Sequence, residues 1–145
     1  MSVIKKLREE TGAGVMRVKQ VLDEVKGDEK KAVEILKKEG FEKMAKRTGR
    51  ETKQGQVFTY AHHTGKVGVL VELFAETDFV VKNELFQTLG KEIALQVASQ
   101  GEKDLEKQEF IKDPSKTIGD LISEVVIKTG ENVRLGRVVK VQLGE

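Results

Sequence analysis

Apolar residues recur at two different periods along this chain, and the change between them falls near residue 56. Before it the spacing is helical. Val3, Ile4 and Leu7 form a short amphipathic stub that ends at Thr11-Gly12-Ala13-Gly14. Val15, Val18, Val21, Leu22 and Val25 repeat at helical intervals and stop at Gly27, a natural residue to follow a helix. Asp28 can cap a third helix that carries Ala32, Val33, Ile35 and Leu36 and is closed by Gly40. Residues 41–56 are mostly charged and polar and read as a linker, with a helical turn allowed at its start.

Beyond the linker the period becomes two. Val57–Ala61 and Val67–Ala75, separated by His62-His63-Thr64-Gly65-Lys66, predict a hairpin. Val67, Val69, Val71 and Leu73 share one face, and Leu70 and Phe74 supply the other, which predicts a central strand covered on both sides. A long helix is expected from near Asp78 to about Ser99, with Phe86, Leu89, Ile93 and Val97 on one stripe. Asp113-Pro114 marks a turn. Thr117-Ile118-Gly119-Asp120 then has the form of a capping box opening a helix that stops at Gly130. Val133, Leu135, Val139, Val141 and Leu143 predict a last strand in one phase, on which Arg137 intrudes and in which Gly136 is a candidate bulge. The expected fold is α+β: a three-helix domain over 1–42, a linker over 43–55, and a core over 56–145 built on a three-stranded antiparallel sheet with helices. A sheet of three strands has two edges and rarely stands without a cover, so self-association through its face or edge is expected.

Composition narrows the chemistry. The chain has 145 residues with 26 Lys and Arg against 24 Asp and Glu, interspersed, for a net charge of +2. That describes a solvated surface rather than a nucleic-acid footprint. The basic residues Lys37, Lys38, Lys43, Lys46 and Arg47 are diluted by Glu39, Glu42 and Glu51 and read as linker surface. No apolar run approaches the ~18 residues of a membrane helix, and the N-terminus lacks a signal-like stretch, so a cytoplasmic protein is expected. The absence of cysteine removes disulfides, thiolate metal sites and a cysteine nucleophile. His62 and His63 are adjacent, so they point to opposite sides and do not close a metal site. Thr11-Gly12-Ala13-Gly14 contains Gly-x-Gly, but no strand precedes it and no Gly-Lys-Ser/Thr follows, which argues against a nucleotide loop. No serine sits in a nucleophile elbow. Neither an enzyme nor a cofactor or metal site is expected.

The unexplained stretch is Glu76-Thr77-Asp78-Phe79-Val80-Val81-Lys82-Asn83, between the second strand and the long helix. A turn there would ordinarily carry Gly, Asn and Ser. Asp78 can serve as a helix cap that complements the macrodipole. Phe79 and Val80 have no local reason. Residue type alone favours burial of Phe79, and an exposed anchor for another protein is the alternative.

Thr77-Asp78-Phe79-Val80, with Lys82-Asn83 following, resembles the signature of the elongation factor Ts family, the guanine nucleotide exchange factors of elongation factor Tu. Leu7-Arg8-Glu9-Glu10-Thr11-Gly12-Ala13-Gly14-Val15-Met16 with Lys19 resembles the family's N-terminal signature, and Gly65–Glu72, Phe110–Thr117 and Gly130–Val133 fit as well. The resemblance implies a ubiquitin-associated-like three-helix domain followed by an α+β core. It implies that Asp78 and Phe79, with Thr77 and Val80 shaping the tip, press on the nucleotide domain of elongation factor Tu and disturb its Mg2+ site. Thr11, Gly12, Ala13, Gly14, Met16 and Lys19 would belong to a second contact on the same partner. Arg17 and Val18, and Phe74 and Ala75, depart from the residues more usual in the family. The stretch from Gly101 to Glu109 is much shorter than in many members, and short members are associated with a symmetric dimer. A non-exchange interaction module on a dimerising core is the alternative function, and an RNA-binding accessory protein a weaker one.

Overall fold

The computed structural model describes residues 2–145. Helices α1 (Val3–Thr11), α2 (Val15–Glu24) and α3 (Glu29–Arg47) come first. The Ser2 hydroxyl accepts the Lys5 N–H and the Asp28 carboxylate accepts the Lys31 N–H, both at 3.2 Å, so each relieves an orphan donor of a first turn. Gly27, at φ 82°, reverses the chain after α2 and donates its N–H to the Leu22 carbonyl at 2.8 Å. Leu7, Val18, Val21, Ala32 and Leu36 form the small core of these three helices.

Gly40 does not close α3. The helix runs through it to Arg47, and the buried Gly40 lies against Ile127 of α6 (Ile118–Thr129), where a Cβ would stand 3.3 Å from Ile127 Cδ1. A glycine inside a helix loses about 1 kcal/mol against alanine, and here the loss is offset by close packing of two helices. The expected linker is correspondingly shorter as irregular chain. Residues 43–47 complete α3 and residues 54–55 open a strand.

Strands β1 (Gln54–Ala61), β2 (Val67–Ala75) and β5 (Val133–Gln142) pair antiparallel in the order β1-β2-β5. Their inner face presents Phe58, Val69, Val71, Leu73, Ala75 and Val133 to a core completed by α6 and by α5 (Glu84–Gln100). Phe58 and Phe86 meet with ring centroids 5.9 Å apart. Gly90 of α5 lets that happen, because a Cβ there would stand 2.2 Å from Phe58 Cε2. Gly90→Ala is therefore expected to destabilise the fold by about 1–3 kcal/mol, despite alanine's better helix propensity. Urea denaturation followed by circular dichroism checks it; a neutral or stabilising effect would show that Phe58 can move aside.

The outer face of the sheet departs from expectation. β2 is central, but its outer side is open: Leu70 is 50% exposed, and Val57, Val139 and Val141 are exposed beside it. β5 also changes phase along its length. Val71 pairs with Val138 and Leu73 with Leu135, so Glu72 faces both Gly136 and Arg137. This bulge puts Val133 and Leu135 inward, and Val139 and Val141 outward. A Cβ at Gly136 would stand 2.3 Å from the Phe74 ring, so any other residue there has to push that ring aside.

At the bulge Arg137 Nε and backbone N–H each donate to Glu72 Oε1 at 2.8 Å, and Arg137 Nη2 donates to Glu72 Oε2 at 3.1 Å. The hydrogen bonds from Arg137 lower the Glu72 carboxyl from 4.5 to about 2. The folded value lies below the unfolded one, so the pair's contribution is complete above the unfolded value and is lost as pH falls from about 4.5 towards 2. Exposure of Arg137 keeps that contribution small in salt. An NMR titration of the Glu72 carboxyl should find a midpoint near 2, returning to the ordinary range in Arg137→Ala; an unshifted midpoint in the unsubstituted chain would rule the pair out.

Two further differences concern connections. The helix expected from Asp78 to Ser99 is two helices, α4 (Asp78–Val81) and α5, and Asn83 starts the second by accepting the Leu85 N–H at 2.8 Å. Asp113-Pro114 is not a turn but the start of β4 (Asp113–Thr117), paired with β3 (Glu109–Phe110) around Ile111 and Lys112. A two-stranded ribbon has only edge strands, where proline is tolerated. The capping box at Thr117 and Asp120 is formed as expected, and Gly130 ends α6 at φ 78°.

Candidate functional site

Between the end of β2 and the start of α5 the chain makes a single helical turn, α4. Thr77 is its N-cap, accepting the Val80 N–H on Oγ1 at 3.4 Å, so Asp78 is the first helical residue and not the cap. One turn sends successive side chains in different directions. Val80 turns inward and is 8% exposed, within the main core, whereas Phe79 is 83% exposed. Residue type alone had favoured burial for Phe79, and the split between Phe79 and Val80 overturns that reading. The Asp78 carboxylate stands 3.7 Å from Lys82 Nζ, with both side chains largely in water. A pair so exposed is worth little and leaves both charges available.

The turn is held at both ends. At its start, Thr77 donates its backbone N–H to Glu131 Oε1 at 3.0 Å and its hydroxyl to Glu131 Oε2 at 2.7 Å. At its end, Gln87 Nε2 donates to the Val81 carbonyl at 2.7 Å and to Gln56 Oε1 on β1 at 2.7 Å. One residue earlier, Glu76 Oε2 accepts the Asn132 N–H at 2.5 Å and lies 3.8 Å from Arg50 Nη1. Buried Asn132 in turn donates from Nδ2 to the carbonyls of Thr48 and Arg50, at 3.3 and 2.8 Å. The chain leaving α3 is thus tied to the base of the tip.

Sequence reasoning did not single out Glu131, Asn132 or Gln87 as site residues. A signal existed for the first two. Pairing of Val133 with Ala75 carries residues 131–132 alongside residues 76–77, where the ladder ends and polar side chains take over. That register could be read only once the β2–β5 pairing was known.

The N-terminal candidates divide. Thr11 is buried and donates its hydroxyl to the Leu7 carbonyl at 2.6 Å while accepting the Ala13 N–H at 3.3 Å. Gly12, in the left-handed region at φ 73°, packs on Ile127, with a Cβ there 3.0 Å from Ile127 Cγ2. These two residues have work inside the chain. Gly14 and Lys19 are exposed, Ala13 is half-buried and Met16 is 68% exposed. Arg17 grips Glu39 on α3 through Nε and Nη2, and this ion pair holds the Glu39 carboxyl below its usual range. Val18 is fully buried, so both departures in α2 serve packing of the helices.

Nothing in the tip suits covalent chemistry. Among the described residues no group of three or more potential metal ligands occurs. What the arrangement can do is mechanical and electrostatic: it presents an aromatic ring and a carboxylate on a short, clamped projection.

Comparison with known proteins agrees with the motifs. The sequence profile of the family described as Elongation factor TS matches residues 76–145, beginning at the tip itself. Elongation factor Ts of Leptospira biflexa is 42% identical, over 97% of this chain and 96% of the relative. The elongation factors Ts of Fervidobacterium nodosum and Thermotoga neapolitana are 37% and 38% identical, over 99% and 100% of this chain and 97% of each relative. These alignments run over 189 to 191 positions, more than the 145 residues present here, so the relatives carry segments that this chain lacks.

Proposed function

The chain belongs to the elongation factor Ts family, and from that premise we propose that Thr77, Asp78, Phe79 and Val80 are the residues with which it opens the nucleotide site of its partner. Its function is nucleotide exchange on elongation factor Tu, and it is not an enzyme. The observation that carries the site assignment is the 83% exposure of Phe79 on a turn whose neighbour Val80 is buried. An exposed aromatic on a fixed support loses little entropy on binding and can fill an apolar pocket.

Phe79 enters the nucleotide domain of elongation factor Tu as a wedge, and Asp78 brings a carboxylate towards the Mg2+ that holds the phosphates. Mg2+ demands near-ideal octahedral ligation, so a small displacement of its shell weakens the bound GDP. By linkage, a protein that prefers the nucleotide-free partner lowers nucleotide affinity by the same factor that nucleotide lowers its own. Met16 and Lys19 belong to a second contact on the same partner, with Thr11, Gly12, Ala13 and Gly14 shaping the turn that presents them. The three-helix domain and the core so act together, without nucleic acid or membrane, in the cytoplasm. No helix among the described residues is long and apolar enough to cross a membrane.

The second element of the proposal is a homodimer formed through the outer sheet face. Val57, Leu70, Val139 and Val141 make an exposed apolar patch there, and Arg134 lies over the Phe74 ring at 4.3 Å beside it. Patches of this kind on a sheet mark protein contacts. The Glu72–Arg137 ion pair, formed within the chain, lies on the same face.

Equilibrium binding tests the exchange reading. The chain should form a complex with nucleotide-free elongation factor Tu on size-exclusion chromatography, and excess GDP should dissociate it. A complex indifferent to GDP would favour the interaction module without exchange.

A further inference from the structure

A single helical turn cannot hold its own direction. Its few hydrogen bonds do not offset the entropy of fixing the backbone, so the orientation of α4 has to be imposed from outside. Burial of Val80 fixes one point, and the Gln87 amide on the Val81 carbonyl fixes the end. The start depends on Thr77, which sits in extended backbone at φ −129° and ψ 157° and has to choose among many directions.

We propose that Glu131 is a positioning residue for the wedge, setting the direction of Phe79 by its two-point hold on Thr77. This rests on the exchange reading above. The carboxylate accepts both the backbone N–H and the hydroxyl proton of Thr77, at 3.0 and 2.7 Å. Hydrogen bonds to a charged acceptor are roughly twice as strong as neutral ones. The hydroxyl proton is thereby directed to Glu131, which leaves a lone pair of the same oxygen facing the Val80 N–H. A chain of contacts therefore runs from the α6–β5 turn through Thr77 into the first bonds of α4.

The place of Glu131 follows from the fold. Gly130 ends α6 in the left-handed region and β5 then pairs Val133 with Ala75, so Glu131 has to lie beside Thr77. Glu76 completes an interlock by accepting the Asn132 N–H. Asn132 also holds the carbonyls of Thr48 and Arg50, so the clamp reaches the segment leaving α3. Glu131 is half-buried at the base of the tip and both its carboxylate oxygens are engaged by Thr77, so its hold on the wedge runs through Thr77. Its loss should leave partner capture intact and make Phe79 enter poorly.

The test is stopped-flow release of a fluorescent GDP analogue from elongation factor Tu, titrated with the unsubstituted chain, Glu131→Ala, Glu131→Gln, Phe79→Ala and Glu131→Ala with Phe79→Ala. For Glu131→Ala the maximal release rate should fall about tenfold, the size expected when hydrogen bonds to a charged group are lost. The half-saturating concentration should stay nearly unchanged, and the thermal midpoint should fall by only a few degrees, the cost of the two lost hydrogen bonds. Glu131→Gln, which keeps an acceptor for the Thr77 N–H, should recover part of the rate. In the Phe79→Ala background, Glu131→Ala should add no further loss, because there is no ring left to aim. A wild-type maximal rate in Glu131→Ala, alongside a slow Phe79→Ala, would overturn this inference and leave the exchange reading standing. Additive losses in the double variant, or a collapse of the thermal midpoint in both Glu131→Ala and Glu131→Gln, would reduce Glu131 to a structural role. No acceleration by the unsubstituted chain would remove the exchange reading itself, and this inference with it.

Discussion

Phe79→Ala should unfold at the same temperature as the unsubstituted chain and yet be a poor exchange factor. The ring is 83% exposed, so truncation removes almost no buried surface. Substitutions at such positions usually change stability by less than about 0.5 kcal/mol. Binding is another matter. An aromatic that fills a partner's pocket is worth about 2 kcal/mol or more on truncation, which is a factor of about 30 in the exchange rate. The neighbouring residue supplies the internal control. Val80→Ala removes a side chain from the core and should lower the thermal midpoint, with any exchange defect following from a displaced turn. Equal destabilisation by Phe79→Ala and Val80→Ala would mean that the ring packs back onto its own protein in solution.

Leu70→Glu should convert the proposed dimer into a monomer at micromolar concentration without unfolding it. Leu70 stands on the central strand and points away from the core, so a glutamate there stays solvated in the separated chain. In a dimer closed through that face, the carboxylate would be buried among Val57, Val139 and Val141, and a two-fold axis would bury it twice. Several kcal/mol of association energy should disappear. Sedimentation velocity distinguishes the outcomes. A monomer before any substitution, or a dimer that survives Leu70→Glu, would show that this face is not the interface.

Most of the helical boundaries were legible because they are set by single residues with local physics. Asp28, Thr117 with Asp120, and Gly130 each do what their spacing announces, whereas the first left-handed residue after α2 is Lys26, at φ 55°, one position before Gly27. Gly40 misled for a reason that spacing does not contain: its small size answers Ile127 on another helix, not a turn in its own. The β3–β4 ribbon was invisible because Asp113-Pro114-Ser115 carries no apolar alternation and reads as turn chemistry. Gly136 was recognised as a bulge, but its consequence was missed. One extra residue turns Val139 and Val141 outward, and a strand that looked continuous in phase serves two faces. Leu70 and Phe74 promised a second covering layer, and the single chain leaves Leu70 bare. At the site, the motif located the tip, but the exposure of Phe79 was counter to its residue type. The supports Glu131 and Asn132 depend on strand register and could not be read locally.

The Glu72–Arg137 pair and the apolar residues around it share the outer sheet face, whereas the tip lies beyond the inner end of the β2–β5 ladder, past Ala75 and Val133. The proposed dimer face and the proposed exchange tip therefore use different residues, and Leu70→Glu and Phe79→Ala should fail in separate assays.

Release of a fluorescent GDP analogue from elongation factor Tu, at fixed Mg2+ with unlabelled GDP in excess and this chain at one part in twenty or fewer, bears on all of this at once. Multiple release events per molecule of the chain are predicted, with the rate sharply reduced by Phe79→Ala. A release rate equal to that of elongation factor Tu alone would contradict it, as would full acceleration by the Phe79→Ala chain.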